Sequence, residues 1–156
     1  MGRCVFCEGG KMVPAKVELD LDICGHTFTA ISDGTRCDQC KKELIEGLAM
    51  MKFEVCVARA LAKASESSGE AFQVMRKAIG IRAVDLAEVL SVAPETISRW
   101  ENDKNPIDPA AFQILRLLVL DHASGSTKVW DALRERHAPK PLAKHVELTG
   151  ELKLAS

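Results

Sequence analysis

The sequence predicts a mainly α chain that begins with a small β-containing module, and three observations support this. Residues 1–42 hold five of the six cysteines and half of the ten glycines. Within that segment, apolar and polar residues alternate from Lys16 to Ile23, which is typical of a half-buried strand. From residue 43 onward the apolar residues recur at helical spacing, and Pro, Gly, Ser and Asp divide the pattern into separate helices.

The bulk composition limits the function classes. The 156 residues suffice for one ordinary domain or two small ones. No apolar run approaches the ~18 residues that a membrane span needs, so we expect no membrane association. The chain starts without the apolar stretch of a secretory signal, so we expect a cytoplasmic protein. A formal net charge of −1 does not exclude nucleic acid, because affinity depends on where the cations lie.

Two strands are expected in the first segment. The alternating stretch Lys16–Ile23 forms the first, and Thr27–Ile31 forms the second after a turn at Gly25-His26. Ser32-Asp33-Gly34 is a further turn signal.

Two C-x-x-C pairs flank these strands, Cys4 with Cys7 and Cys37 with Cys40. Each pair can direct two sulfurs at one point, and two pairs supply the closed tetrahedral thiolate set that structural zinc prefers. We expect these four cysteines to hold one structural Zn²⁺ per chain, although iron also binds such thiolate sets. Disulfides are rare in the cytosol, and a redox C-x-x-C would occur as a single pair.

Cys24 and His26 lie between the pairs and have two interpretations. They are either alternative ligands, or a small buried strand residue and a turn residue. Four thiolates leave no open coordination position, and the sequence offers no general base beside them, so we expect no enzymatic activity. Such a metal contributes folding energy instead, because residues 1–42 contain few large apolar side chains.

A long helix is expected from about residue 43 to residue 65. Ser67-Ser68-Gly69 breaks it, and Ser67 with Glu70 fits a capping box that opens the next helix. The chain is therefore expected to contain three parts. These are a zinc-binding module with its connecting helix at 1–65, a helical domain at 66–137, and an extended or disordered tail at 138–156.

The second half predicts five helices. Their markers are Phe72–Ile79, Val84–Leu90, Ile97–Trp100, Phe112–Val119 and residues 126–137. Pro94 suits the first position of the third helix, and Asp108 with Pro109 begins the fourth. The second and third helices are short and joined by a few residues, and the third presents small polar residues and an arginine. This layout fits the major groove of DNA.

These residues resemble a known family. Leu86-Ala87, Leu90, Val92, Thr96–Asn102 and Lys104 look like the helix-turn-helix of the Xre/Cro repressor class. Together with the cysteine pairs and the long helix, roughly residues 1–122 resemble the MqsA-type (YgiT-type zinc-finger) antitoxins. The resemblance implies a C-terminal five-helix Xre/Cro-like helix-turn-helix domain that dimerises and represses its own operon. It also implies that the zinc module binds a toxin.

Carried over by position, the DNA-facing side of the third helix would consist of Glu95, Thr96, Ser98 and Arg99. Arg99 is the leading candidate for a base contact, because its planar fork can hold both acceptors of a guanine edge. The resemblance further implies sugar-phosphate contacts from Asn102, Lys104 and Arg82.

The resemblance also places three residues inside the domain. Arg76 and Glu101 align with a pair that forms an internal salt bridge in these repressors, and Trp100 is expected in the core. Ala83 and Ala93 depart from the pattern, which usually has a polar residue near the start of the second helix and a Ser cap before the third. One phosphate contact and one helix cap are therefore expected to be missing.

Two functions fit these expectations. The first is a repressor that is also the antitoxin of a type II toxin–antitoxin pair, bound to a palindromic operator as a homodimer in the nucleoid. The alternative is a stand-alone phage- or mobile-element-type repressor whose zinc module is structural. Residues 1–50 carry six basic against eight acidic side chains. This acidic balance favours the antitoxin, because toxins that attack RNA are usually basic.

Overall fold

The structure, a computed structural model, describes residues 2–135, 141 and 143–145. In these residues a three-stranded antiparallel sheet is followed by six helices, so the fold is mixed α/β. The expected order, a small β-containing module followed by helices, is confirmed. Residues 136 and 137 of the expected fifth helix and most of the expected tail at 138–156 lie outside the described residues.

A long hairpin forms the first part of the chain. Strands β1 (Met12–Ile23) and β2 (His26–Cys37) pair along their whole length. The turn between them consists of Cys24 and Gly25, with φ angles of 52° and 74°. Two left-handed residues give the turn type whose twist matches that of the paired strands. His26 is therefore the first residue of β2, and the expected turn at Gly25-His26 was one residue too late.

Gly34 lies inside β2, so the turn expected at Ser32-Asp33-Gly34 was wrong. Glycine is needed at this position because β2 and the segment that contains Leu44 approach each other closely. A Cβ atom at Gly34 would lie 2.6 Å from the backbone oxygen of Leu44. Leu44 belongs to β3 (Glu43–Leu44), which pairs with Thr35 and Arg36 of β2.

Because of β3, the long helix starts later than expected. Helix α1 spans Gly47–Ala64, and Glu46 is its N-cap residue. Glu43 pairs with β2 and accepts a hydrogen bond from Arg36 Nε at 2.7 Å. Helical spacing alone did not separate these two strand residues from the helix that follows.

The remaining helices are α2 (Gly69–Ala78), α3 (Ala83–Leu90), α4 (Pro94–Glu101), α5 (Pro109–Ala123) and α6 (Lys128–Arg134). The expected start signals of α4 and α5 are confirmed, since Pro94 and Pro109 are their first residues. The side chain of Asp108 caps α5 by accepting a hydrogen bond from Ala111 N–H at 2.9 Å.

The capping box expected from Ser67 and Glu70 was wrong. Ser68 is the N-cap residue of α2, and its hydroxyl accepts from Ala71 N–H at 3.3 Å. Glu70 accepts a hydrogen bond from the backbone N–H of Cys24 at 2.8 Å. The carboxylate therefore fixes the hairpin turn to α2, a tertiary contact that local spacing does not reveal.

One apolar cluster joins the inner face of the sheet to the helices. Helix α1 contacts β2, α2 and α5. The largest buried members of the cluster include Leu19, Phe53, Val57, Leu61, Phe72, Met75, Leu86, Ile97, Leu115 and Val119. Within the described part of the chain, no helix has both the length and the apolar character needed to cross a membrane.

Candidate metal centre and nucleic-acid interface

The two C-x-x-C pairs come together at the open end of the hairpin. The sulfurs of Cys4, Cys7, Cys37 and Cys40 all lie within 4.8 Å of one another. Cys4 Sγ is 3.7 Å from Cys40 Sγ, and Cys7 Sγ is 3.7 Å from Cys37 Sγ. Four metal–sulfur bonds of ~2.3 Å in a tetrahedron place the sulfurs about 3.8 Å apart. The cluster therefore fits a tetrahedral metal ion.

Backbone N–H groups donate hydrogen bonds to two of these sulfurs. Phe6 N–H donates to Cys4 Sγ and Cys40 N–H donates to Cys37 Sγ, both at 3.4 Å. Burial raises the pKa of the Cys37 thiol, but hydrogen bonds from the N–H groups of Cys40 and Gln39 outweigh burial and lower this pKa to about 7. The thiolate, which is the form that binds metal, is thus favoured at Cys37. At Cys40 a backbone hydrogen bond from Lys42 lowers the thiol pKa, but burial and the neighbouring thiols outweigh it and raise this pKa to about 11.

The polypeptide around the cluster is tightly folded. Cys4 N–H donates to the Gly10 carbonyl at 2.8 Å, and Lys11 N–H donates to Asp38 Oδ1 at 2.8 Å. A Cβ atom at Gly10 would lie 2.3 Å from Cys37 Sγ, so only glycine fits there. At this end the buried apolar core consists of Met12 and the two cysteines Cys4 and Cys37. A bound metal would replace the hydrophobic core that is missing here.

The structure separates Cys24 and His26 from the metal cluster. Both residues lie at the turn of the hairpin, and the whole of β2 separates them from Cys37. Twelve extended residues cover more than about 30 Å, which excludes a shared metal ion. Cys24 Sγ lies 3.2 Å from Ser68 Oγ, so this cysteine contacts the start of α2.

The helix-turn-helix is formed by α3 and α4, which pack against each other, and α4 also packs against α2. Ile97 and Trp100 bury one face of α4, and the Trp100 ring meets Phe72 edge-on at 5.9 Å. Trp100 is 6% exposed, so it lies in the core as expected.

Arg76 and Glu101 form a buried ion pair between α2 and α4. Arg76 Nε and Nη2 donate to the two oxygens of Glu101 at 2.5 and 3.1 Å. Their side chains are only 9% and 6% exposed. Arg76 Nη1 also donates to the Ile81 carbonyl at 2.7 Å, which fixes the loop before α3. This network sets the position of α4 relative to the rest of the domain.

Two further hydrogen bonds support this arrangement and were missed from sequence. Gln73 Nε2 donates to Glu101 at 3.3 Å, and Gly69 N–H donates to Asp103 Oδ1 at 2.8 Å. No local pattern reveals these bonds, because both join α2 to the end of α4.

The opposite face of α4 is open to solvent. Glu95, Ser98 and Arg99 are exposed, and Thr96 is half-buried. Among the described residues, no side chain pairs with the guanidinium of Arg99. The helix therefore presents an unpaired cation beside small polar groups, on a backbone that its buried face holds in place.

The three expected sugar-phosphate contacts have different surroundings. Arg82 forms two hydrogen bonds with Asp85, both at 2.7 Å, and this hydrogen bonding lowers the pKa of Asp85. Asn102 Nδ2 donates to the Ser98 carbonyl at 2.7 Å, at the end of α4. Lys104 is exposed in the following loop. Arg82 and Asn102 would have to exchange these partners to reach a phosphate.

Neither α3 nor α4 has a side-chain cap, and Ala93 is the departure from the repressor pattern that lies at a cap position. Arg82 and Ala93 are the N-cap residues, and neither side chain accepts a hydrogen bond from its helix. The first N–H groups of α4 are thus open to an outside acceptor such as solvent or a phosphate oxygen.

A helix-turn-helix family matches residues 73–116, from within α2 to the middle of α5. The chain therefore contains an Xre/Cro-type helix-turn-helix domain, which is typical of DNA-binding transcription regulators. The matched segment includes Arg76, Arg99 and Glu101 but not the cysteine cluster. No curated protein matches the chain.

Proposed function

We propose that this chain is a sequence-specific DNA-binding repressor and the antitoxin of a type II toxin–antitoxin pair. It binds a palindromic operator as a homodimer and represses its own operon, which places it in the nucleoid. The observation that carries the DNA-binding role is the position of Arg99. The residue is exposed and unpaired within the described chain, on a helix held by the buried Arg76–Glu101 pair.

In this proposal Arg99 reads a guanine edge in the major groove, and Glu95, Thr96 and Ser98 contact neighbouring bases or phosphates. Lys104, Asn102 and Arg82 bind the sugar-phosphate backbone. A second copy would place a second α4 about one helical turn of DNA away, so the operator would contain two half-sites.

The metal in this proposal is zinc, in a structural role. Sulfur–sulfur distances of 3.7 Å and four cysteine ligands support a closed tetrahedral zinc site. Zinc would hold the open end of the hairpin together and supply no chemistry. Cys4, Cys7, Cys37 and Cys40 would provide all of its ligands.

The DNA-binding role predicts the effect of Arg99→Ala. Loss of one bidentate base contact is expected to weaken operator binding by about 1–3 kcal/mol and to relax selectivity at one base pair. Operator sites selected from random DNA and titrated in fluorescence anisotropy would measure both effects. Arg59→Ala removes an exposed cation from α1 and should leave affinity and selectivity unchanged. Equal binding by Arg99→Ala and wild type would contradict the assignment of α4 as the helix that contacts the bases.

The antitoxin role predicts a growth rescue. The small reading frame next to this gene should arrest growth when expressed alone, and co-expression of the full chain should restore growth. The Arg99→Ala chain should also restore it, since neutralisation would use the zinc module and not the DNA-binding face. If the neighbouring product does not arrest growth, the chain is a stand-alone repressor with a structural zinc module.

A further inference from the structure

The outer edge of β2 offers unpaired backbone groups to another strand. The two-residue turn makes Ile23 and His26 a hydrogen-bonded pair, so the even-numbered residues of β2 bond to β1. The odd-numbered residues point their N–H and C=O groups away from β1. The structure bears this out at Cys37, whose N–H donates to the Lys42 carbonyl at 2.9 Å on the far side.

Strand β3 uses only the end of this edge. It pairs with Thr35 and Arg36 and stops there. Thr27, Thr29 and Ile31 have no main-chain partner on that side among the described residues. The edge thus continues for several residues past β3 without a partner strand.

A groove follows the same edge. It has a volume of about 700 Å³ and lies between β2 and α1. Ala30, Ser32 and Leu44 line its sheet side, while Leu48 and Phe53 line its helix side. Leu48 is 59% exposed, so this groove leaves a large apolar side chain uncovered. A strand placed beside β2 would direct every second side chain into it.

The other edge of the hairpin is protected against such pairing. On β1 the even-numbered residues point their N–H and C=O groups away from β2. Met12 confirms this, because its N–H donates to the Gly2 carbonyl at 3.1 Å. Pro14 removes one outward donor, and Lys16 and Glu18 place charges along that edge. The β2 edge carries neither proline nor a run of charges at Thr27, Thr29 and Ile31.

We propose that the edge of β2 between Thr27 and Asp33 binds an extended strand of a partner protein. This proposal deepens the antitoxin function and rests on it for the identity of the partner. The bound strand would continue the sheet beyond β3, with apolar side chains in the groove at alternate positions. Residues 12–37 carry four carboxylates against two basic side chains, with Glu18, Asp20 and Asp22 exposed on the outer face. The outward positions of the partner strand would therefore be basic.

The test uses the full chain and a synthetic peptide of about nine residues that alternates valine with lysine. Hydrogen exchange followed by NMR is expected to show that the peptide protects the amides of Thr27, Thr29 and Ile31. The amides of Phe28 and Ala30 are already bonded to β1 and should change little. A matched peptide that alternates valine with glutamate should bind at least about fivefold more weakly.

Three variants separate backbone pairing from side-chain effects. Ile31→Pro removes an outward N–H and should weaken peptide binding about tenfold, because Pro also blocks neighbouring hydrogen bonds. Ile31→Val keeps the N–H and should bind as wild type does. Lys16→Pro places the same ring on the β1 edge and should not weaken binding. Absence of protection at about 1 mM peptide, protection of the β1 edge instead, or wild-type binding by Ile31→Pro would each overturn the proposal.

The growth rescue distinguishes this surface from the function itself. If wild type neutralises the neighbouring product and Ile31→Pro neutralises it equally well, the antitoxin function holds and the docking surface is wrong. If the peptide protects the edge but the neighbouring product is harmless, the surface holds and the antitoxin function is wrong.

Discussion

Replacement of Arg76 by alanine is expected to lower the free energy of unfolding of the helix-turn-helix domain by about 3–5 kcal/mol. The guanidinium bonds both oxygens of Glu101 and the Ile81 carbonyl in a site where both side chains are less than one-tenth exposed. Without Arg76 the Glu101 carboxylate would remain buried with only Gln73 as a donor. Urea unfolding followed by circular dichroism would measure the loss.

A second arginine in the chain provides the control. Arg82 also forms a two-point ion pair, with Asp85, but its side chain is 76% exposed. Solvent screens that pair, so Arg82→Ala should leave the urea midpoint nearly unchanged. If Arg76→Ala were as stable as Arg82→Ala, the buried pair would not be what holds α4 in place. A double replacement of Arg76 and Glu101 by methionine should recover much of the lost stability, because no uncompensated charge is left.

Replacement of Cys37 by serine is expected to abolish stoichiometric metal binding and to unfold the open end of the hairpin. Changes around a metal site that leave the ligands intact already weaken metal affinity 10–100-fold, and removal of a ligand should cost more than about a hundredfold. Among the residues that the structure describes, the buried core here is otherwise Met12 and Cys4, so folding of this end is expected to depend on a bound metal. Zinc content measured by mass spectrometry and amide exchange of residues 2–14 would report the two effects.

Cys56 supplies the matched control for this prediction. It is exposed on α1 and lies outside the sulfur cluster. Cys56→Ser should retain one metal ion per chain and the wild-type exchange pattern. The helix-turn-helix should survive in both variants, because its core is built from α1–α5. Full metal loading by Cys37→Ser would contradict the proposed ligand set.

Local signals predicted most of the helical part of the chain. Pro94 and the Asp108-Pro109 pair mark the starts of α4 and α5 because each satisfies the geometry of a first turn without help from distant residues. The two C-x-x-C pairs were equally informative, since each supplies half of a tetrahedral site by itself. The sequence thus predicted the cysteine cluster from spacing.

Three of the failures share a physical cause, which is tertiary contact. Gly34 looks like a turn residue, but it lies in a strand where the Leu44 carbonyl comes close. Glu43 has helical spacing and yet pairs with β2. Glu70 fits a capping box and instead bonds the hairpin turn. In each case a distant partner decided the local structure, and no pattern in the sequence identifies that partner.

The contacts on α2 have a mechanical consequence. Near its start Glu70 holds the hairpin turn, and about 9 Å further along the same helix Arg76 holds α4. The single short helix α2 therefore connects the hairpin that carries the cysteine cluster to helix α4. Once α4 is seated on an operator, the direction in which each hairpin projects is fixed as well. In a dimer bound to one operator, the two hairpins would therefore project in fixed directions. The spacing of the half-sites would then determine the distance between two partner proteins bound to these hairpins.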